Sequence, residues 1–297
     1  FRVTMLNKPQ LSLGSANFNN KYGVFKKTYV NYENQEAILA TGWKKGFRKI
    51  DTAESYKHVH KTLGSLDIFN SKDWGITSKL SKFSDYPSKD KIRSKVNYFL
   101  ENTLNDLRKN KLESVLVHDP DIESQPKILE IIFQELNLAL ENKIIESFGV
   151  SLYKQPSNRL IIDNMLENKD FVVQGPINIF DRRLEDFFKS KNNRKCIFEG
   201  RSVFLQGLLL NADIFLKNFG ERKECNNFFS WLENKNISPI EACISFARYS
   251  TADKIIVGFA NSTELELFSD IFERVKEFSP PRFCDDEEIL NPMNWKD

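Results

Sequence analysis

Eight short runs of apolar and β-branched residues recur along this chain, each followed by a stretch with helical spacing, and that alternation limits the fold more than any other feature. The runs are "LSLGSANF" (11–18), "FRKID" (47–51), "WGITSK" (74–79), "SVLVH" (114–118), "SFGVS" (147–151), "FVVQGPIN" (171–178), "CIFEGRS" (196–202) and "KIIVG" (254–258). Between them, stretches such as "PKILEIIFQELNLALENK" and "STELELFSDIFERVKEF" repeat apolar residues at the 3.6-residue period of a helix. Segment 180–195 is the helix between the sixth and seventh runs, and "SPIE" at 238–241 opens another with Ser at the N-cap, Pro at the first position and Glu at the third. Strands alternating with helices predict parallel sheet. Eight repeats predict an α/β fold, a single (β/α)8 TIM barrel, with a doubly wound sheet as the alternative. Such barrels take ~250 residues, so the 297 residues make one domain, 1–297.

Composition narrows the partners. Forty-three basic residues against 41 acidic ones leave a net charge of +2, and both signs are scattered along helix faces, which argues against a nucleic-acid or membrane surface. No apolar stretch approaches the ~18 residues of a membrane helix, and the opening "FRVTMLNKPQ" lacks the apolar region of a secretion signal. The cysteines, Cys196, Cys225, Cys243 and Cys284, match neither a CxxC pair nor a disulfide framework, so reduced thiols and a cytoplasmic location are expected. The closing segment 277–297 reads as irregular, wrapping the surface.

Polar residues collect at the strand ends. Asp51 ends the second run, Lys79 the third, His118 the fourth and Ser151 the fifth; Gln174 lies within the sixth, Arg201 and Ser202 close the seventh, and Tyr56 follows the second. In a barrel all strand C-termini open on one face, so these residues would meet at one mouth. Each alone has a plain reading: Asp51 as a helix-starting acid, Tyr56 as a packed aromatic, His118 as either core or site. A buried Lys79 needs a partner, and Asp51 is the candidate. Asn17, Phe18, Tyr22, Trp74 and Phe180 are the candidates to line the mouth.

"KIDTAESY", "ITSKL" and "LVHDPD" resemble the motifs that carry the Asp, Tyr, Lys and His tetrad of the aldo-keto reductases, in the same order. "LSLGSANFNNKYGV" is similar to that family's opening hairpin and first strand, "SFGVSLY" to its fifth strand, "VVQGPINIFDRR" to its sixth and "RSVFLQGLLL" to its seventh; "ILNPMNW" is like bacterial members often found among surface-polysaccharide genes. The resemblance implies a barrel with an N-terminal hairpin that reduces an aldehyde, ketone or keto-sugar with NADP(H) or NAD(H). Tyr56 would protonate the developing alkoxide, its phenol drawn down from the ordinary ~10 by a cationic Lys79 that Asp51 holds in place. His118 would orient the substrate oxygen.

The same resemblance implies that Ser151 and Gln174 hold the nicotinamide carboxamide, with Leu152 where many relatives have Asn, and that Arg201, next to Ser202, covers the nicotinamide ring. Backbone amides in 207–210, including Gly207 and Leu208, and around 258–262, including Gly258, would receive the phosphates, helped by a helix N-terminus near Ser262. Glu264 stands where NADPH-preferring members carry a basic residue, and a carboxylate there can accept from a free 2′-hydroxyl, which makes NADH a candidate. Leu267 and Phe268 replace a Glu-Asn pair that often contacts adenine.

Two departures open other readings. After the tyrosine the chain runs "YKHVHKTLG" where relatives read Tyr-Gly-x-Ser-Glu, so Lys57, His58 and His60 either alter the mouth or, as favoured for His60, decorate a helix. His58 and His60 have metal-hydrolase spacing, but the further ligands such a centre needs are missing, and no metal is expected. A catalytically weak or regulatory, cofactor-binding member of the family is the alternative function, against which stands the complete set of Asp51, Tyr56, Lys79 and His118.

Overall fold

A computed structural model describes residues 8–19, 23, 30–56, 58–83, 88–191 and 193–295. Eight strands, β1 (Gln10–Gly14), β2 (Lys49–Asp51), β3 (Gly75–Ser81), β4 (Leu112–His118), β5 (Ile145–Ser151), β6 (Phe171–Pro176), β7 (Ile197–Arg201) and β8 (Lys254–Val257), pair in sequence order into a closed barrel. All pairs are parallel, and β1 closes the barrel on β8 with Leu11 opposite Ile255. The eight expected strands are therefore present in the closed arrangement. β1 stops at Gly14, short of the expected 18, because Ser15 to Phe18 turn over the barrel rim. A hairpin ahead of β1 would fall on residues 1–7, outside the described residues.

The helices in chain order are α1 (Tyr32–Lys44), α2 (Val59–Ser65), α3 (Asp67–Asn70), α4 (Lys89–Leu107), α5 (Pro126–Glu141), α6 (Arg159–Glu167), α7 (Arg183–Ser190), α8 (Ala212–Phe219), α9 (Lys223–Lys235), α10 (Pro239–Arg248), α11 (Ser262–Arg274) and α12 (Glu287–Leu290). α5 illustrates why they form: Pro126 starts it, and Ile128, Leu129, Ile132, Phe133, Leu136 and Ala139 recur at three- and four-residue steps and are buried. Phe133 meets Phe148 of β5 and Phe171 of β6 edge to face at 5.3 and 5.5 Å. Burial of one such ring contributes about 1.5–3 kcal/mol. The expected capping box opens α10, with the Glu241 amide donating to Ser238 Oγ at 3.3 Å and Glu241 accepting in return. α7 is shorter than the expected 180–195, because Asp181 Oδ1 accepts from the Arg183 amide and starts the helix there.

The closing segment is less irregular than expected. It forms α12, buries Ile289 and Leu290, and is fastened by arginines. Arg183 donates to Asp181 at 2.7 Å, to Glu287 at 2.5 Å and to the Tyr153 carbonyl at 3.1 Å. Arg222 binds Asp286 and Glu288, and Arg182 donates to the carbonyls of Pro280 and Pro281. The four cysteines are free and buried. Among the described residues no helix is long and apolar enough to cross a membrane.

Candidate active site

Barrel interiors are usually filled by branched apolar side chains, but here charged residues run through the middle. Lys79 is 2% exposed and lies inside β3, two residues short of the strand end where the sequence put it, since β3 continues to Ser81. Its ammonium donates to Asp51 Oδ1 at 2.5 Å and to the Thr52 carbonyl at 3.0 Å. The other Asp51 oxygen accepts from Gln174 Nε2 at 2.8 Å. Gln174 Nε2 also donates to Glu199 Oε2 at 3.0 Å. Glu199 pairs with Lys254 at 3.1 Å, Lys254 with Glu113 at 2.6 Å, and Glu113 with Lys49. Burial of isolated charges is costly, and here each is paired.

Tyr56 sits just beyond β2, in a turn closed by its own amide on the Ala53 carbonyl. The Lys79 ammonium lies over its ring, 5.5 Å from the centroid. The expected effect of that ammonium is not the dominant one. Burial and the Asp51 carboxylate hold the Tyr56 phenol above its ordinary value, and the opposing pull comes from Arg201. Tyr56 is consequently a protonated phenol at neutral pH.

His118, the last residue of β4, is half-buried, and burial, then Lys79 and Arg201, push its imidazole down to about 3. It is neutral at neutral pH, able to donate through one ring nitrogen and accept through the other. Asp51, Tyr56, Lys79 and His118 thus share one end of the barrel and one field. Arg201, ending β7, donates to the Leu152 carbonyl at 3.0 Å, stacks over Tyr153 at 4.9 Å, and so bridges the mouth to the end of β5.

The residues expected to hold a nicotinamide carboxamide can be tested on their hydrogen bonds. Asp51 and Glu199 can only accept, so two carboxylates fix Gln174 with its amide nitrogen inward. Its Oε1 accepts from Ser151 Oγ at 3.4 Å. A primary carboxamide needs an acceptor for N–H and a donor for C=O; Gln174 Oε1 supplies the first, and the Ser151 hydroxyl supplies the second on turning its single proton away from its long 3.4 Å bond to Gln174. These residues fit the group. At the other end Glu264 Oε2 accepts from the Ala260 amide at 2.8 Å, and Asn261 caps α11 ahead of Ser262 by accepting from the Glu264 amide at 2.9 Å. The first turn of that helix therefore already carries a carboxylate, which disfavours a further phosphate.

Other expected positions divide. Ser202 adopts a left-handed φ of 61°, and its hydroxyl accepts from Arg201 at 3.4 Å. In the β7 loop the Gly207 and Leu209 amides turn back on the Phe204 carbonyl and do not point outward as expected, and Leu208 is buried. Gly23 crosses to this loop with φ of 83°, where a Cβ would come within 3.1 Å of the Gln206 carbonyl, so glycine is required. Gly258 is exposed just past β8, beside Asn17, which ties the β1 loop to the Phe259 carbonyl at 2.8 Å. Phe268 is buried among Phe259, Phe272 and Phe204, while Leu267 is exposed.

Several mouth candidates lie elsewhere. Trp74 precedes β3 and therefore sits at the opposite end, edge-on to Trp43 at 5.0 Å. Phe18 and Phe180 are fully buried, Phe180 against Phe215, Phe228 and Phe283. Tyr22 and Lys57 lie outside the described residues. His60 is not a surface decoration: it is buried in α2, its Nε2 lies 3.2 Å from Ser78 Oγ, and burial with Lys79 pushes it down to about 4. What the sequence did not single out is a cavity of about 260 Å³ beside Ser151, lined by Asp119, Tyr153, Lys154 and, from the closing segment, Glu287 and Asn291. The charged series Glu113, Glu199 and Lys254 was also missed; its signal was Glu199 inside an apolar strand run, with Glu113 just ahead of another and Lys254 opening a third.

The family model described as the Aldo/keto reductase family matches residues 10–279, and the chain belongs to that family. Its members are oxidoreductases of small-molecule carbonyl compounds that generally use NAD(P)H. Among solved structures the chain is similar to an aldo-keto reductase of Bacillus halodurans in its holo form, with 13% identity, a TM-score of 0.69, and 91% of this chain and 88% of that one covered. It is also similar to a glycerol dehydrogenase of Gluconobacter oxydans, with 16% identity, a TM-score of 0.63, and 94% and 97% covered. At these identities the likeness is one of fold. No curated protein sequence matches the chain.

Proposed function

We propose that this chain, as one barrel domain in the cytoplasm, reduces an aldehyde, ketone or keto-sugar to the alcohol with NADH or NADPH, Tyr56 serving as the acid. The observation that supports this reading most is that the Tyr56 phenol lies over the Lys79–Asp51 pair while His118 faces the same Lys79 and Arg201 charges. Ser151 and Gln174 would hold the carboxamide of a reduced nicotinamide, which would supply the hydride for the carbonyl carbon. Tyr56 holds its proton through the resting state and donates it to the alkoxide oxygen, a far stronger base than a phenolate. Arg201 offsets part of the negative charge left on the phenolate. His118, neutral, donates to the same oxygen and fixes its direction, while Asp51 keeps the ammonium from drifting toward solvent.

At the other end of the dinucleotide, the Ser262 turn and the loops holding Gly207, Leu208 and Gly258 line the path to Glu264, whose carboxylate favours a free 2′-hydroxyl and hence NADH. The test is the loss of reduced-nicotinamide absorbance with 4-nitrobenzaldehyde and a panel of activated sugar aldehydes and ketones. Turnover with NADH exceeding that with NADPH is the expected result. Tight dinucleotide binding with no turnover of any carbonyl would overturn the reductase reading in favour of a regulatory role.

A further inference from the structure

Glu199 has no part in the tetrad or in the carboxamide contacts, yet it is 1% exposed at the centre of the barrel. It lies two residues before Arg201 on β7 and is the register partner of both Gln174 on β6 and Lys254 on β8. An apolar side chain there would avoid the cost of burying a carboxylate, so the charge calls for a reason. Its two oxygens divide the work. Oε1 accepts from Lys254 and Oε2 accepts from the Gln174 amide nitrogen. Lys254 is in turn anchored by Glu113 at 2.6 Å.

A glutamine amide can turn over at little cost unless its neighbours forbid it. Asp51 alone, with one oxygen already committed to Lys79, offers Gln174 a single acceptor. With Glu199 both amide hydrogens have carboxylate acceptors, and a flipped amide would set its carbonyl against two negative oxygens. We propose that Glu199, held by Lys254, is a positioning residue that locks the Gln174 amide so that its carbonyl oxygen is offered to the nicotinamide carboxamide. This rests on the reading that a nicotinamide dinucleotide binds beside Ser151 and Gln174. It makes Glu199 specific for the carboxamide end of the cofactor and indifferent to the adenosine end.

The test compares NADH with ADP-ribose, which keeps the adenosine and phosphates but has no carboxamide. Dissociation constants are measured by calorimetry for the wild type and for Glu199→Gln, where the new side chain can donate as well as accept and no longer forbids the flip. The expected result is NADH binding weakened about tenfold, near the worth of one hydrogen bond to a charged group, with ADP-ribose binding unchanged. Equal weakening of both ligands, or of neither, overturns the proposal. Should Glu199→Gln fail to fold, Glu199→Gln combined with Lys254→Met keeps the interior charges balanced through Glu113 and Lys49 and carries the same expectation. Wild-type protein that binds neither ligand overturns the cofactor reading itself, a result distinct from a variant that matches the wild type.

Discussion

Asp51 divides its carboxylate between two sides of the barrel, giving one oxygen to the Lys79 ammonium at 2.5 Å and the other to the Gln174 amide at 2.8 Å. The ammonium against the Tyr56 ring and the candidate cofactor contact therefore rest on one buried anion. Asp51→Asn would orphan the ammonium and disturb Gln174 together. Removing one partner of a buried pair costs about 3–5 kcal/mol, so urea unfolding should show a loss of that size. Asp51→Asn with Lys79→Met should recover most of it, because no unpaired charge remains.

Tyr56→Phe removes only a hydroxyl. Positioned proton transfer contributes roughly 10²–10⁴-fold, so kcat should fall by at least that factor while the unfolding midpoint and dinucleotide affinity stay near wild type. Steady-state rates with 4-nitrobenzaldehyde check this, and unchanged turnover would remove Tyr56 from the role of acid.

The buried His60 and the half-buried His118 should make stability depend on acidity. His60 and His118 fall to about 4 and about 3 in the fold from an unfolded value near 6.5. Between those values the unfolded chain binds more protons, so their contribution is fully present above the unfolded value and is lost as pH drops toward the folded ones. The unfolding midpoint should thus fall between about pH 7 and about pH 4. His60→Gln should flatten that slope, and an unaltered slope would show that other groups set it.

Glu264 gives a prediction about cofactor choice. Glu264→Arg replaces repulsion of a 2′-phosphate by attraction at the start of α11, and the ratio of NADPH to NADH affinity should rise by about tenfold or more, a change of about 1.4 kcal/mol. Fluorescence titration with both nucleotides measures it. The gain should shrink at high salt, because the site is exposed and screened.

The strands were legible because parallel barrel strands are buried on both faces and read as continuous apolar runs. The grouping of Asp51, Tyr56, Lys79 and His118 was legible because all four fall toward one end of consecutive strands. The errors had physical causes. Trp74 precedes its strand and so cannot reach the mouth, a polarity already present in the order "WGITSK". Phe180 follows its strand but turns into a cluster with Phe215 and Phe228, which only packing reveals. Burial and the Asp51 carboxylate outweigh the pull of Arg201 on the Tyr56 phenol, and no linear spacing reports that balance. Glu199 was overlooked because it stands singly inside an apolar run, and Lys254 because it opens one, while their meaning comes from being side by side across β7 and β8.

The closing segment reaches the cavity from outside the barrel, on a strap that Arg183 buckles to Asp181, Glu287 and the Tyr153 carbonyl. The interior charges and the outer wall of that cavity consequently belong to different stretches of chain. Sequence drift in the strap can reshape that wall while the Lys79–Asp51 pair is left as it was, so the cavity's outline and the buried charges are free to evolve at separate rates.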